Sequence, residues 1–227
     1  MPETVELVRG KVPREIEVRE GPVRYLAAPW TGQKTGAFLD QRPNRLRAGA
    51  LAGPGPSLDC FAYHGGFALH LAGRSSRVMA IDTSREALDR GARAALLNGF
   101  TNIDWTPGDG FEVLRELERA GSRFDTVVVD PPAFAKTKSA VPSALRGYKE
   151  INLRAMRLLA PGGRLLSASC SFHVGRAEFL KMIAAAARDS GRGLTVLEHL
   201  GQGVDHPEVV TIPETGYLKG VVLRAAG

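Results

Sequence analysis

The chain predicts an α/β fold: a Rossmann-like, mostly parallel sheet with an antiparallel C-terminal strand, preceded by a short β-hairpin. Three observations carry this. From Ser57 to Leu200, short apolar runs alternate with stretches of helical periodicity, the pattern of a doubly wound sheet with right-handed crossovers. The run Val127-Val128-Val129 and the run Leu165-Leu166 are bounded by turn or polar residues, as strands covered on both faces are. The last two strand-like segments are joined by about 15 residues without helical pattern, which suits an antiparallel pair.

The elements follow in order. Ile16–Arg19 and Val23–Leu26 each alternate, with Glu20-Gly21-Pro22 able to turn between them. Residues 1–30 therefore read as a strand-rich lead-in that adds to the main sheet or leads into it, and residues 31–227 as the main domain. Thr31–Gly36 is a polar, glycine-containing loop. A helix follows from Ala37 to near Leu51 and is broken by Gly53-Pro54-Gly55-Pro56. The first strand of the sheet covers Ser57 to Phe61, and the turn Tyr63-His64-Gly65-Gly66 leads into a helix from Phe67. The second strand, from Arg77, ends at Asp82; its helix starts after Ser84, a good N-cap, and stops at Asn98-Gly99. The third strand runs from Asn102 to Thr106, and Gly108-Asp109-Gly110 opens the helix Phe111 to Arg119. The fourth strand is Thr126 to Val129 with a helix from Tyr148 to Leu159. The fifth is Arg164 to Ala168 with a helix from Ala177 to Asp189. Thr195–Leu200 and Tyr217–Arg224 are the last two strands.

Composition narrows the function. No apolar run approaches the ~18 residues a membrane span needs, and Met1–Arg14 carries no apolar signal-peptide core. A cytoplasmic protein without membrane association is expected. Two cysteines, Cys60 and Cys170, are too few for a disulfide framework or a thiolate metal site, and the five histidines lack ligand spacing, so no metal is expected. The formal charge of +6 favours a polyanionic partner. Between Ala133 and Arg157 the bases Lys136, Lys138, Arg146, Lys149, Arg154 and Arg157 face a single acid, Glu150. Such a stretch is either a solvated helix face or a contact surface for an RNA backbone.

Ligands of an open α/β sheet bind outside the carboxyl ends of its strands. Four acids stand at or near those ends: Asp59, Asp82, Asp109 and Asp130. The first turn is not G-x-G-x-x-G, so a dinucleotide fingerprint is a poor match, yet Gly65 and Gly66 allow a tight turn and a close ligand. Asp82 can take the hydroxyls of a ribose, and Asp109 the amino group of an adenine. A lone acid after a strand is usually a helix N-cap, but these features in order resemble the S-adenosylmethionine site of class I methyltransferases.

The same rim carries Asp130-Pro131-Pro132 after the fourth strand and Ser169-Cys170-Ser171 after the fifth. A carboxylate for holding a base and a thiol for attacking it then face one pocket. Carbon 5 of cytosine becomes nucleophilic only when a thiolate adds at carbon 6, which is covalent catalysis. Cys170 and Asp130 are the catalytic candidates, with Asp130 hydrogen-bonding the cytosine amino group or its protonated ring nitrogen. A lone cysteine is most often a small buried hydrophobe, and Cys60 is read that way, inside its strand. His173 is a weaker acid–base candidate, near enough in sequence to cap or to face solvent instead.

Several stretches are similar to one family, the bacterial ribosomal large-subunit cytosine-5 methyltransferases of the RlmI type. They are Thr31–Gly36 with Phe38–Arg42, Tyr63 through Phe67, Asp130-Pro131-Pro132 with Phe134, Arg146–Lys149, Ser169-Cys170-Ser171, and Asp205-His206-Pro207 with Tyr217–Gly220. The resemblance covers the chain from about residue 15. It implies S-adenosylmethionine as cofactor, held by Gln33, Lys34, Gln41, Arg42, Asp59, Tyr63, Gly65, Gly66, Asp82, Asp109 and Asp130. It implies Cys170 as nucleophile and ribosomal RNA as partner, met by Pro131, Pro132, Phe134, Lys136, Lys138, Arg146 and Lys149. Three departures stand out. Only the tail of the family's N-terminal RNA-binding region fits before Thr31, which leaves RNA anchoring to a homodimer or a separate partner. Ala62 and His64 replace the family's cysteine and threonine in the first turn, and Ala133 replaces a lysine after the prolines.

Two other readings stay open on the residues alone. One is methylation of another base or a small molecule on the same scaffold. Amino methylation wants an aromatic directly after the two prolines, and Ala133 intervenes before Phe134. The other is a module that binds S-adenosylmethionine or RNA without turnover.

Overall fold

Strand and helix alternate from Ser57 to Leu200 in the computed structural model, which describes residues 5–227. Residues 1–4 of the expected lead-in lie outside the described residues. The chain begins with a hairpin, β1 (Ile16–Glu20) and β2 (Val23–Ala27), paired antiparallel from Ile16↔Ala27 to Glu20↔Val23. It is a sheet of its own and adds no strand to the main one, contrary to one of the two expectations. Its inward residues Val23, Tyr25 and Ala27 pack with Leu69, Ala94 and Ala95. Glu20 is buried, and both its oxygens accept from Arg45, at 2.7 and 2.6 Å, which ties the hairpin to the body.

A 3-10 turn at Leu39–Gln41 precedes α1 (Arg42–Leu51), whose first turn holds Pro43, where a missing N–H costs nothing. Then follow β3 (Ser57–Cys60), α2 (Gly66–Ala72), β4 (Val78–Asp82), α3 (Arg85–Leu97), β5 (Ile103–Pro107), α4 (Gly110–Arg119) and β6 (Phe124–Val129). Ser84 caps α3 by accepting from Ala87 N at 3.3 Å. Asp109 caps α4 through the amides of Phe111 and Glu112.

The next helix, α5 (Val141–Arg157), starts well before the expected Tyr148. Pro142 sits in its first turn, where a missing N–H costs nothing. The following strand, β7 (Leu159–Ser169), also starts earlier than expected, because buried Leu159 pairs with Phe124 across a register shift. The chain ends with α6 (Arg176–Ser190), β8 (Leu194–Leu200) and β9 (Lys219–Ala225).

The seven-stranded sheet has the order β5-β4-β3-β6-β7-β9-β8. The pairs among β3 to β7 are parallel, and β9 runs antiparallel to both β7 and β8, as the helix-free connection predicts. All four residues of β3 are buried, which fits a central strand, while β8 is an edge with exposed positions. One face packs on α4, α5 and α6 through Leu114, Tyr148, Ile151, Met156 and Phe179; the other packs through Ala48, Phe67, Leu71 and Val222. Chain order reverses between β3 and β6. That switch point is where an open parallel sheet leaves a crevice outside its carboxyl ends.

Candidate functional site

The crevice is a cavity of about 640 Å³. Its first wall is the turn after β3, which carries Phe61, Tyr63 and Gly65 in the left-handed region at φ 69°, 52° and 76°. Two non-glycine residues there are strained, and strain persists only where surroundings over-determine it. Here Tyr63 N donates to Asp82 Oδ2 at 2.8 Å and Ala62 N to Ile81 O at 2.8 Å. Gly65 is required twice over: its φ is positive, and an added Cβ would sit 2.3 Å from the Trp105 ring. The second wall is the polar loop before α1. Gln33 N donates to the Tyr63 hydroxyl at 2.9 Å, and Lys34 Nζ pairs with Asp40 at 3.0 Å.

The cavity brings together Gln33, Lys34, Gln41, Tyr63, Gly66, Asp82, Asp109, Asp130, Pro131, Pro132, Phe134 and Cys170, all expected from the sequence. Other expected residues stand elsewhere. Arg42 is exposed at the start of α1, and Arg45, one turn on, lines the cavity in its place. Asp59 is fully buried beneath the turn, where its Oδ2 accepts from Ala68 N at 2.8 Å and anchors α2; burial pushes its carboxyl up to about 8. Gly65 shapes the turn from behind. Lys136, Lys138 and Arg146 are exposed outside the cavity.

The basic stretch is less charged than it reads. Lys149 pairs with Asp189 at 2.6 Å, Arg154 with Glu118 and Glu150, and Arg157 with Glu118. Lys149 therefore faces α6 and not a polyanion. Glu150 belongs to α5 itself, but Glu118 comes from α4 and Asp189 from α6, out of reach of a local reading. His173 packs edge-on against Phe172 and does not line the cavity. Cys60 is a core residue, whose thiol burial pushes up.

Residues missed in the sequence complete the site. Phe61 and Phe111, with centroids 6.4 Å apart, form an apolar wall beside Asp109, and Phe134 continues it at 5.7 Å from Phe111. Asp40 is 2% exposed, lines the cavity, and accepts from Lys34 and from the Tyr217 hydroxyl at 2.6 Å, while its Oδ1 has no partner. Asp40 lies within the motif Phe38–Arg42, directly before Gln41, and that position is its signal in the sequence.

At the other end Asp130 Oδ1 accepts from Gln41 Nε2 at 2.8 Å. Burial pushes the Asp130 carboxyl up to about 7, with Asp40 adding and Arg45 opposing. Cys170 is partly buried on the same cavity; burial pushes its thiol up to about 11, Asp130 adds to this, and Lys34 opposes. The loop that carries it is fixed by Ser171, whose Oγ bonds the Tyr148 hydroxyl at 2.8 Å and accepts from Ala135 N at 3.2 Å. That joins the Pro-Pro loop to the cysteine loop.

The donor set fits S-adenosylmethionine. An apolar aromatic wall beside Asp109 suits an adenine, and the Asp82 carboxylate suits a ribose. The unpartnered Asp40 Oδ1 and the surplus of acids suit an ammonium and a sulfonium. Among the described residues, no group of three or more His, Cys, Asp or Glu could hold a metal ion, and no helix is long and apolar enough to cross a membrane.

Comparison with known proteins agrees with this geometry. Residues 3–224 match the family model described as S-adenosylmethionine-dependent methyltransferase. The chain is 42% identical over 227 residues to the ribosomal RNA large subunit methyltransferase I of Aeromonas salmonicida, and 41% identical over 228 residues to that of Vibrio cholerae. Each match covers 98% of this chain and 57% of the relative, so the chain spans little more than half the length of these curated relatives. Among solved structures, one complexed with SAH aligns with a TM-score of 0.82 at 23% identity, covering 96% of this chain and 58% of that one. The SAM-dependent methyltransferase from Agrobacterium tumefaciens aligns at 0.73 and 17%, covering 97% and 72%. The fold, the strand-end acids and the family match over nearly the whole length agree, and the chain belongs to the S-adenosylmethionine-dependent methyltransferase family.

Proposed function

We propose that this chain forms 5-methylcytosine in large-subunit ribosomal RNA through a covalent adduct on Cys170. The observation that carries the reading is that Cys170 and Asp130 meet on one cavity with Asp82 and Asp109, which the aromatic row Phe61–Phe111–Phe134 also lines. When bound, S-adenosylmethionine supplies an electrophilic methyl group. Gln33, Lys34, Gln41, Tyr63, Asp82 and Asp109 would hold it, and the unpartnered oxygen of Asp40 would suit its ammonium.

Cys170 loses its proton, and its sulfur forms a bond to carbon 6 of the cytosine. The electron pair displaced onto carbon 5 makes that carbon the methyl acceptor. Asp130, whose carboxyl is raised to about 7, is placed to carry a proton near neutral pH and to donate it in a hydrogen bond to the ring nitrogen. That draws electrons out of the ring as the thiolate adds. A base then removes the carbon 5 proton, and the sulfur leaves with the electron pair of its bond. The rigid Pro131-Pro132 wall and Phe134 give the flipped base its slot. The relatives named as ribosomal RNA methyltransferases, and the exposed Lys136, Lys138 and Arg146, support RNA as substrate.

The test is transfer of labelled methyl from S-adenosylmethionine to bacterial large-subunit ribosomal RNA, followed by digestion and identification of the nucleoside. Cysteine-dependent 5-methylcytosine is expected, with Cys170→Ala inactive and its cofactor binding near normal. Label on another nucleoside, persisting in Cys170→Ala, would refute the chemistry.

A further inference from the structure

The antiparallel pairing of β7 with β9 sets Ser169 opposite Lys219, and Cys170 follows Ser169 directly. Lys219 is only 3% exposed. Its ammonium donates to the Ser171 carbonyl at 2.5 Å and to the Tyr217 carbonyl at 2.9 Å. Lys34 and Lys149 each face a carboxylate, whereas among the described residues Lys219 bonds carbonyls alone. A buried ammonium without a carboxylate is costly to keep, so a structural strap would be served as well by a neutral donor. Burial pushes the amine down to about 8, while Cys170 acts to hold its proton on, Arg176 to remove it and Glu178 to retain it.

Cys170 needs such a charge. The acids Asp130 and Asp40 face it and disfavour a thiolate; Tyr148 and Tyr217 also face it, and of the cations Lys34 comes from the half-exposed polar loop. Lys219 does not line the cavity, so it does not touch the substrate. We propose that Lys219 is a positioning residue for Cys170: it ties the loop after β7, through the Ser171 carbonyl, to the segment before β9, through the Tyr217 carbonyl, and sets a buried positive charge beside the thiol. This rests on the reading of Cys170 as nucleophile. Lys219 keeps its proton throughout; the thiol gives its own proton to solvent, and the sulfur then forms its bond to carbon 6.

Alkylation of the native protein with iodoacetamide tests this without methyl transfer. The thiolate displaces iodide, and Cys60, fully buried, stays unlabelled while the Cys170 peptide is followed by mass spectrometry. Lys219→Gln keeps a donor and loses the charge; Lys219→Arg keeps the charge. For each unit by which the thiol pKa rises, the thiolate fraction falls about tenfold and each thiolate gains about threefold in nucleophilicity, so the rate near pH 7 falls about threefold. Folded Lys219→Gln should therefore alkylate about threefold slower or worse, with Lys219→Arg within about twofold of wild type. Equal rates in folded Lys219→Gln and wild type would overturn the proposal.

If Lys219→Gln does not fold, the Asp130→Asn protein, free of that carboxyl's titration, supplies the answer. Its alkylation rate should rise less than tenfold per pH unit as Lys219 loses its proton near pH 8. A full tenfold rise throughout would equally overturn the proposal. Loss of Cys170-dependent methyl transfer in the wild type would instead strike the function proposed above and leave the alkylation comparison standing.

Discussion

Asp82→Ala separates the backbone clamp that this carboxylate forms from the ribose contact proposed for it. Its Oδ2 accepts from Tyr63 N and its Oδ1 from Ser84 N, both at 2.8 Å, so it clamps the strained turn after β3 to the start of α3. Each oxygen keeps a second lone pair, and the side chain lines the cavity. A hydrogen bond to a charged group contributes about 1.5–3 kcal/mol, so losing the ribose contact alone should weaken cofactor binding by about 10- to 150-fold. Losing the two backbone bonds to the same carboxylate should lower the stability of the ligand-free protein by about 3–6 kcal/mol. Titration calorimetry with S-adenosylhomocysteine reads the first effect, and thermal unfolding without ligand reads the second. A pair of probes isolates the ribose: the wild type should prefer adenosine to 2′-deoxyadenosine, and Asp82→Ala should bind the two alike. Affinity for S-adenosylhomocysteine within about twofold of wild type, or an unchanged preference between the nucleosides, would refute the placement of the ribose on Asp82.

Three further outcomes are expected. Gly91→Ala should destabilise the protein by about 1–3 kcal/mol in denaturant unfolding although alanine is the better helix former, because the new Cβ would lie 2.4 Å from the Trp105 ring; equal or greater stability would mean Trp105 repacks freely. Reversing the charges of Lys136, Lys138 and Arg146 should weaken RNA binding and flatten its salt dependence by about 0.7–0.9 per lost phosphate contact, whereas Lys149→Glu, already facing Asp189, should leave the slope alone; the opposite ranking would place the RNA along α5 and α6. Asp130 has a folded pKa of about 7 against an ordinary value of 3.8, so its protonated form favours the folded state: that contribution is full below the ordinary value and is lost as pH rises through about 7. Asp130→Asn, whose side-chain oxygen can still accept from Gln41, should therefore gain stability over wild type near pH 8 and show no gain near pH 4, and a gain independent of pH would contradict the raised carboxyl.

What the sequence revealed and what it hid follow from how far each interaction reaches along the chain. Asp82, Asp109 and Asp130 were legible because strand polarity forces residues just past parallel strands onto one rim. Cys170 was legible for the same reason. Arg42 and Arg45 differ by less than one helical turn, and only the start of α1 decides which of them faces the cavity. Phe61 and Phe111 look like core residues in a linear pattern; the left-handed backbone at Phe61 and the capped start of α4 turn them to the ligand side. The pairing of Arg154 and Arg157 with Glu118 spans 36 and 39 residues, beyond any local reading of the basic stretch. The start of α5 was placed at Tyr148 and not Val141 because the apolar pattern does not show that Pro142 is well placed in a first turn.

The insertion of β9 between β7 and β8 has a consequence for how the molecule comes into being. β8 touches the rest of the sheet through β9, yet it leaves the ribosome first. Until β9 arrives, β8 is a strand with no place to dock, and β7 exposes a long edge just where the cysteine loop begins. The same late strand carries Lys219, and the segment before it carries Tyr217, which reaches Asp40 across 177 residues of chain. Parallel strands β3 to β7 can pair early, but the thiol remains without its neighbours until β9 slots in. A nascent or partly unfolded chain would thus hold a formed turn after β3 and a cysteine loop still beside an open edge, so that this wall of the cavity is completed with the closing of the sheet and not before.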